Sequence, residues 1–313
     1  MKSHLLACIA IIWAILSFLS CSRSVQKDNN PIIDTQTVMP VDTLYTIPFQ
    51  ITGDMSRILL EAKINNKTKT FMLDSEFPYH CIDCKFVLSL FDTTNHTSKM
   101  IENGFTRVFC NHPININLQN LVCHSDTFEL MFPDYLNTKE ESCGIVGRPF
   151  FEKSVVCINF DVNRIYILNK SHDNFNGYAS TEYIRNKEDH RILTLKFPTE
   201  QDSISANLIF DFGAPFSDID KDIKKHIKIP TGKVNPLNIG AVLLNRAVAI
   251  KYKIEVEAGN SQTGEVIEHP FEKWGCDGGI GMDIIMQYNV IIDYQHNRIY
   301  YTPNEHYKKM TEQ

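Results

Sequence analysis

Two aspartates end apolar runs in matching surroundings. Asp74 closes Phe71-Met72-Leu73, and Asp211 closes Leu208-Ile209-Phe210. Downstream of each stand a proline at the fourth residue (Pro78, Pro215), an isoleucine at the eighth (Ile82, Ile219) and a second aspartate at the ninth (Asp83, Asp220). Two carboxylates delivered by equivalent strands can meet across a pseudo-twofold axis. In contact they cannot both ionise cheaply, so they share a proton and titrate as a pair. One then works as general base toward water while the other donates a proton to a carbonyl oxygen, without metal or organic cofactor. A lone aspartate at a strand end is more simply a turn or cap residue. The repeated spacing makes that a poorer account of Asp74 and Asp211 together, and a good one for Asp83 and Asp220, which precede short helices.

The elements that must carry these residues read as β. Ile58, Leu60, Ala62 and Ile64 alternate, Asn65-Asn66-Lys67 supplies a turn, and Thr68 to Leu73 leads into Asp74 as the second strand of a hairpin. A short helix is predicted within residues 83–91, and residues 92–107 carry no clear pattern. Ile114, Ile116 and Leu118 alternate, Gln119-Asn120 turns, and Leu121 to Leu130 returns as a strand. Later blocks have twins 134 residues on: Gly147-Arg148-Pro149-Phe150-Phe151 faces Gly281-Met282-Asp283-Ile284-Ile285, and Asn163-Arg164-Ile165-Tyr166 is identical to Asn297-Arg298-Ile299-Tyr300. Each copy reads as helix, strand, turn, strand, with the Asn-Arg pairs as turn residues. The chain therefore reads as a tandem duplication with a period near 135 residues. One lobe is expected over 44–175 and a second over 176–303, joined near Asn169 to Ser180, with a loose polar tail over 304–313.

An apolar strand ending in Asp-Ser/Thr-Gly, followed well downstream by an apolar pair and Gly, resembles the pepsin-like and retropepsin-like aspartic proteases. Two such units in one chain resemble the bilobal members. Ile145-Val146-Gly147 and Gly279-Ile280-Gly281 match the family's apolar-apolar-Gly strand, and the terminal Asn-Arg-Ile-Tyr strand is similar to bacterial members. The resemblance implies a mostly β fold of two related aspartic-protease-like lobes with a cleft between them. It also implies Asp74 and Asp211 as the catalytic pair, Ser75 and Gly213 as loop support, no cofactor, and a peptide or protein as substrate or ligand. Two positions depart from the family. Glu76 stands where a glycine permits close backbone approach, adding a third carboxyl. Phe212 stands where a hydroxyl would bridge the two loops. Three functions follow: an endopeptidase, a protein of the same fold that holds an extended peptide without cutting it, and an accessory surface lipoprotein with an idle cleft.

The 313 residues are 43% hydrophobic and 22% charged with a net charge of −6, an ordinary globular composition without the basic runs that nucleic acid requires. Residues 1–20 read as a signal peptide: Lys2, an almost wholly apolar Leu5 to Leu19, then Ser20-Cys21. Phe18-Leu19-Ser20-Cys21 resembles a bacterial lipobox, departing at Phe18 and Leu19. That resemblance implies lipidation at Cys21, a membrane anchor followed by a polar tether over 21–43, and a place in the cell envelope facing the periplasm or the cell surface. Seven cysteines remain beyond Cys8 and Cys21, an odd number. Cys110 and Cys123 could staple a hairpin. Cys81-Ile82-Asp83-Cys84 has the spacing of a thioredoxin-like pair, but Asp218-Ile219-Asp220-Lys221 keeps the Ile-Asp without the cysteines, so redox chemistry is not needed to explain it. The histidines are scattered singly, which argues against a zinc site.

Overall fold

The computed structural model describes residues 43–311, except 54–55, 103–104, 132–141, 170–174, 199–202, 216, 221–222, much of 224–270 and 272–273. Cys21, the signal segment and the tether lie outside the described residues. No described helix is long and apolar enough to cross a membrane. In the N-terminal half the elements are β1 (Thr43–Ile51), β2 (Ile58–Ile64), β3 (Lys67–Leu73), β4 (Cys81–Asp83), α1 (Cys84–Leu88), β5 (Thr97–Glu102), β6 (Phe105–Cys110), β7 (Ile114–Leu118), β8 (Leu121–Ser125), β9 (Phe128–Met131), β10 (Gly144–Val146), α2 (Pro149–Glu152), β11 (Val155–Asn159) and β12 (Arg164–Leu168). The C-terminal half continues with β13 (Ala179–Glu182), β14 (Ile184–Arg185), β15 (Arg191–Pro198), β16 (Ser203–Phe210), β17 (Asp218–Ile219), β18 (Leu237–Ile239), β19 (Val242–Leu244), β20 (Ala258–Gly259), β21 (Val266–Ile267), β22 (Gly278–Ile280), α3 (Met282–Ile285), β23 (Tyr288–Asp293), β24 (Arg298–Pro303) and α4 (Glu305–Thr311). The fold is mostly β, with parallel and antiparallel pairs mixed in its sheets.

The β2–β3 hairpin forms where expected, and Asn65 and Asn66 take the positive φ of 46° and 64° that its two-residue turn requires. β3 runs parallel to β10, which runs antiparallel to β4. The C-terminal half repeats this pattern: β15 and β16 form a hairpin, β16 runs parallel to β22, and β22 runs antiparallel to β17. The same backbone hydrogen bonds recur in both. Asp74 N–H donates to Val146 O and Asp211 N–H to Ile280 O, at 3.1 and 2.9 Å. Arg148 N–H donates to Phe77 O and Met282 N–H to Ala214 O, at 2.8 and 2.9 Å. Each aspartate is thus the first residue beyond a central strand, its backbone still held by the parallel neighbour.

A central sheet in the order β13-β24-β23-β11-β12-β1 joins the halves, with β11 and β23 paired antiparallel through Val156↔Ile292, Cys157↔Ile291 and Ile158↔Val290. Its inner strands β24, β23, β11 and β12 are buried along nearly their whole length because both faces are covered. β23 is buried at every position, as a strand packed on two sides must be. Asn163 and Asn297 sit at equivalent turns with φ of 51° and 53°, as turn residues should.

Three segments differ from the sequence reading. Most of the patternless stretch belongs to an antiparallel hairpin of β5 (Thr97–Glu102) with β6 (Phe105–Cys110). β5 is exposed at the end of its sheet and β6 buries two successive residues, Phe109 and Cys110, so neither shows the alternation of a half-buried strand. Cys110 and Cys123 lie on strands with different partners, β6 with β9 and β8 with β7, and both are free thiols, so no staple forms there. The tail is a helix, not a loose end. Asn304 is fully buried; its Oδ1 accepts from His306 and Tyr307 N–H at 2.9 and 3.2 Å, and its Nδ2 donates to Met286 O at 2.8 Å. Tyr307 then packs 5.6 Å from the Tyr288 ring. Asn304→Ala removes the cap and strands the Met286 carbonyl. It should lower unfolding free energy by about 1–2 kcal/mol in a urea titration.

Candidate active site

Asp74 and Asp211 meet through a side-chain hydrogen bond. Both are partly exposed, and both line a cavity of about 410 Å³ with Phe77, Tyr79, His190 and Trp274. Each carboxylate is also held by its own loop. Asp74 Oδ1 accepts from the N–H groups of Glu76 and Phe77 at 2.9 and 2.8 Å, and Asp211 Oδ1 accepts from Gly213 N–H at 2.7 Å. Burial raises Asp74 above the ordinary carboxylate value, opposed by those two backbone donors and by the Arg57 charge. Burial, the Asp74 charge and then Glu76 raise Asp211 much further, with a single backbone donor in opposition. Two backbone donors on Asp74 against one on Asp211 favour the negative charge on Asp74 and the shared proton on Asp211.

Ser75 ties the two loops together. It is fully buried; its Oγ–H donates to Phe210 O at 3.2 Å, and the same oxygen accepts from Phe212 N–H at 3.1 Å. Gly213 is required by contact. A Cβ there would lie 2.1 Å from Asp74 Oδ2 and 2.3 Å from its Cγ, so the glycine backbone is the surface against which the opposing carboxyl packs. Gly147 is needed for a similar reason, since its Cβ would stand 1.9 Å from Tyr79 O.

The two departures from the family pattern are accommodated in different ways. Phe212, fully buried, stacks on Phe151 with centroids 6.0 Å apart and planes at 15°, and meets Phe210 edge-on at 5.5 Å. It joins the halves by packing where a hydroxyl would join them by hydrogen bonding. Glu76 is buried beside a cationic group. Its Oε2 accepts from Arg148 Nη2 at 3.3 Å and lies 2.9 Å from His190 Nδ1, and Arg148 Nη2 also donates to Glu76 O at 3.0 Å. Arg148 is itself buried, with Nη1 donating to Asp189 Oδ2 at 2.9 Å. Burial pushes Glu76 up, and His190 and Arg148 oppose it. Glu76 Oε1 has no hydrogen-bond partner.

Sequence comparison by identity missed a second matched pair. His80 and Ser217 both stand six residues after the aspartate and share no chemistry by type. Gly147 N–H donates to His80 Nδ1 at 3.2 Å, and Gly281 N–H donates to Ser217 Oγ at 2.9 Å. The backbone bond dictates a neutral His80 protonated at Nε2, and burial with the Lys153 charge holds this group down at about 4. Arg57, His190 and Trp274 also escaped the sequence reading, because each reaches the site from outside the matched blocks, and Arg148 escaped it because its match, Met282, carries no charge. Asp83 caps α1 as expected, its Oδ1 accepting from Phe86 N–H at 2.7 Å. Residues 221–222, directly after Asp220, are outside those described. Burial raises the Cys81 thiol well above its ordinary value, the opposite of a reactive redox cysteine. No group of three or more His, Cys, Asp or Glu among the described residues is placed to hold a metal ion.

No protein-family model matches the chain, and no curated protein matches it. Solved structures do. An aspartic proteinase from Irpex lacteus aligns with a TM-score of 0.55 at 10% identity, covering 83% of this chain and 97% of that one. Basic 7S globulin from soybean aligns with a TM-score of 0.51 at 8% identity, covering 84% and 96%. The protein therefore has an aspartic-proteinase-like fold. That fold is shared by one protein named a proteinase and one named a globulin, so activity has to be argued from the site.

Two outcomes test these local accounts. The unfolded chain takes up the His80 proton near the ordinary value of 6.5, and the folded protein only near 4. The stability His80 contributes is therefore complete above pH 6.5 and is lost as pH falls toward 4, by about 3 kcal/mol. His80→Ser, which copies Ser217, should flatten that part of the stability–pH curve relative to the unaltered protein. Arg148→Met should cost about 3–5 kcal/mol in chemical denaturation by leaving Glu76 buried without its cation, and adding Glu76→Gln should recover part of the loss.

Proposed function

We propose that the protein is a peptidase-like hydrolase that works through an Asp74–Asp211 pair. The observation that carries this reading is the meeting of the two carboxyls among the residues that line the cavity. In the reaction, Asp74 takes a proton from water as the water oxygen attacks the peptide carbonyl carbon. Asp211 donates its proton to the carbonyl oxygen, giving a tetrahedral diol. Asp74 then passes its proton to the amide nitrogen, the C–N bond breaks, and Asp211 recovers a proton from a diol hydroxyl as the carboxyl product forms. Water is consumed and no other reactant is needed. Ser75 and Gly213 hold the two loops at the separation this transfer needs.

In this reading the two halves are lobes of a duplicated unit. The recurring hydrogen bonds after each aspartate, the twin turns at Asn163 and Asn297, and the matched His80 and Ser217 positions support that origin. We also infer an envelope lipoprotein anchored through Cys21, on the strength of the apolar run and cysteine that open the sequence. A peptide-binding protein without catalysis is the second reading. It is favoured by Arg148, whose guanidinium occupies the Glu76 carbonyl beside the pair, a backbone acceptor that an extended peptide would otherwise have to itself.

Digestion of a peptide library from acid to neutral pH separates the two. Asp74→Asn and Asp211→Asn should each lower cleavage by at least about a hundredfold, the smaller end of what a positioned acid or base contributes. No cleavage by the unaltered protein at any pH, with peptide capture that survives both substitutions, would leave the binding reading in possession of the cleft.

A further inference from the structure

Of the two loop-bridging side chains that the family pattern places in this site, one is missing. Ser75 makes both of its cross-loop bonds, but Phe212 has no polar group with which to reciprocate. The Asp211 loop still needs a second tie. Gly213, at its tip, cannot supply one through a side chain, because the Asp74 carboxyl fills the space where a Cβ would stand. Its carbonyl oxygen is available, and Arg57 Nη1 donates to it from a point 156 residues earlier in the chain.

We propose that Arg57 is a positioning residue for the carboxyl pair, its guanidinium tying the Asp211 loop to the half that carries Asp74 in place of the bridge that Phe212 cannot form. This rests on reading Asp74 and Asp211 as the working pair. The base of the arginine is well fixed. It closes the turn between β1 and β2, where Thr52 N–H donates to Arg57 O and Arg57 N–H donates to Thr52 Oγ1, both at 3.1 Å. Ser56 N–H donates to the same hydroxyl oxygen at 3.1 Å. β2 then runs beside β3, whose end delivers Asp74, so one hairpin sets the positions of both Arg57 and Asp74. The cation does a second thing that a neutral donor could not. Its charge lowers Asp74 and so opposes the burial that would neutralise it. The other charged groups near the pair act elsewhere: Arg107, which lines the same cavity, is paired with Glu129 at 3.1 Å. Glu76 acts on Asp211 and raises it, and Arg148 and His190 are engaged with Glu76.

The test compares Arg57→Met and Arg57→Lys in the full chain by two measurements: carbon-13 titration of labelled aspartate carboxyls, and peptide turnover. Arg57→Met should move the lower titration step of the pair upward through loss of a nearby opposite charge. It should reduce kcat about tenfold or more with KM within about twofold, the pattern of an interaction needed in the transition state. Arg57→Lys should return the titration step and recover kcat only in part, because an ammonium keeps the charge but not the planar fork. Titration and kcat unchanged in Arg57→Met would overturn the proposal, and full recovery of kcat by lysine would overturn the bridging role in favour of charge alone. If the methionine variant does not fold, Arg57→Lys decides: reduced kcat at constant KM supports the bridge, and unaltered kcat removes it. If the unaltered protein cleaves nothing, the hydrolase reading fails while the titration shift still decides the role of Arg57.

Discussion

Two carboxyl groups taken out of bulk water and set in contact repel each other unless one keeps a proton. Holding them at hydrogen-bond separation depends on backbone placed to within a fraction of an ångström. Most of what is particular to this site answers that constraint. Parallel pairing of β3 with β10 and of β16 with β22 brings each aspartate to the end of a central strand, and a backbone bond from the neighbouring strand catches it there. Ser75 spans the interval between the loops. Gly213 lets one loop rest directly on the opposing carboxyl. The asymmetry of the pair is electrostatic. Two backbone donors and a nearby arginine favour charge on Asp74, while burial and two neighbouring carboxyls favour a proton on Asp211 against a single backbone donor.

The departures at Glu76 and Phe212 show how the site accommodates residues that its pattern does not favour. A buried carboxylate is expensive unless paired and hydrogen-bonded. Arg148 meets part of that cost and His190 another, and neither belongs to the motif that Glu76 interrupts. Phe212 gives up a hydroxyl and gains ring contact with Phe151 of α2, so polar bridging is exchanged for core packing at the same junction. Both solutions draw on the opposite half of the chain or on the turn between β14 and β15. The site is thus an interface property of the halves, consistent with the shared central sheet in which β11 pairs with β23.

Much of the local structure was legible because it depends on short-range physics. The Asn65-Asn66 turn, the α1 cap at Asp83 and the helix-strand-turn-strand blocks follow from positive φ, a side-chain acceptor and apolar periodicity. The β5–β6 hairpin was not legible, because β5 is exposed and β6 buries Phe109 and Cys110 in succession, so neither alternates as a half-buried strand does. Nor was the helical tail, whose stability comes from Asn304 and Tyr307 docking on residues nearly twenty positions away rather than from its own polar sequence. The equivalence of His80 and Ser217 was hidden because two different side chains accept the same backbone bond.

The sequence by itself determined that two apolar strands end in aspartate at matching intervals, with Ser75 and Gly213 beside them, since these are facts of order and spacing. The tertiary structure decided everything that depends on distance through space. It set the contact of the two carboxyls, the burial of Glu76 against Arg148 and His190, the stacking of Phe212 on Phe151, and the reach of Arg57 to Gly213. The reason is physical: burial, Coulomb interaction and ring packing act between groups far apart in the chain, and spacing along one strand carries no record of what the opposite half brings to meet it.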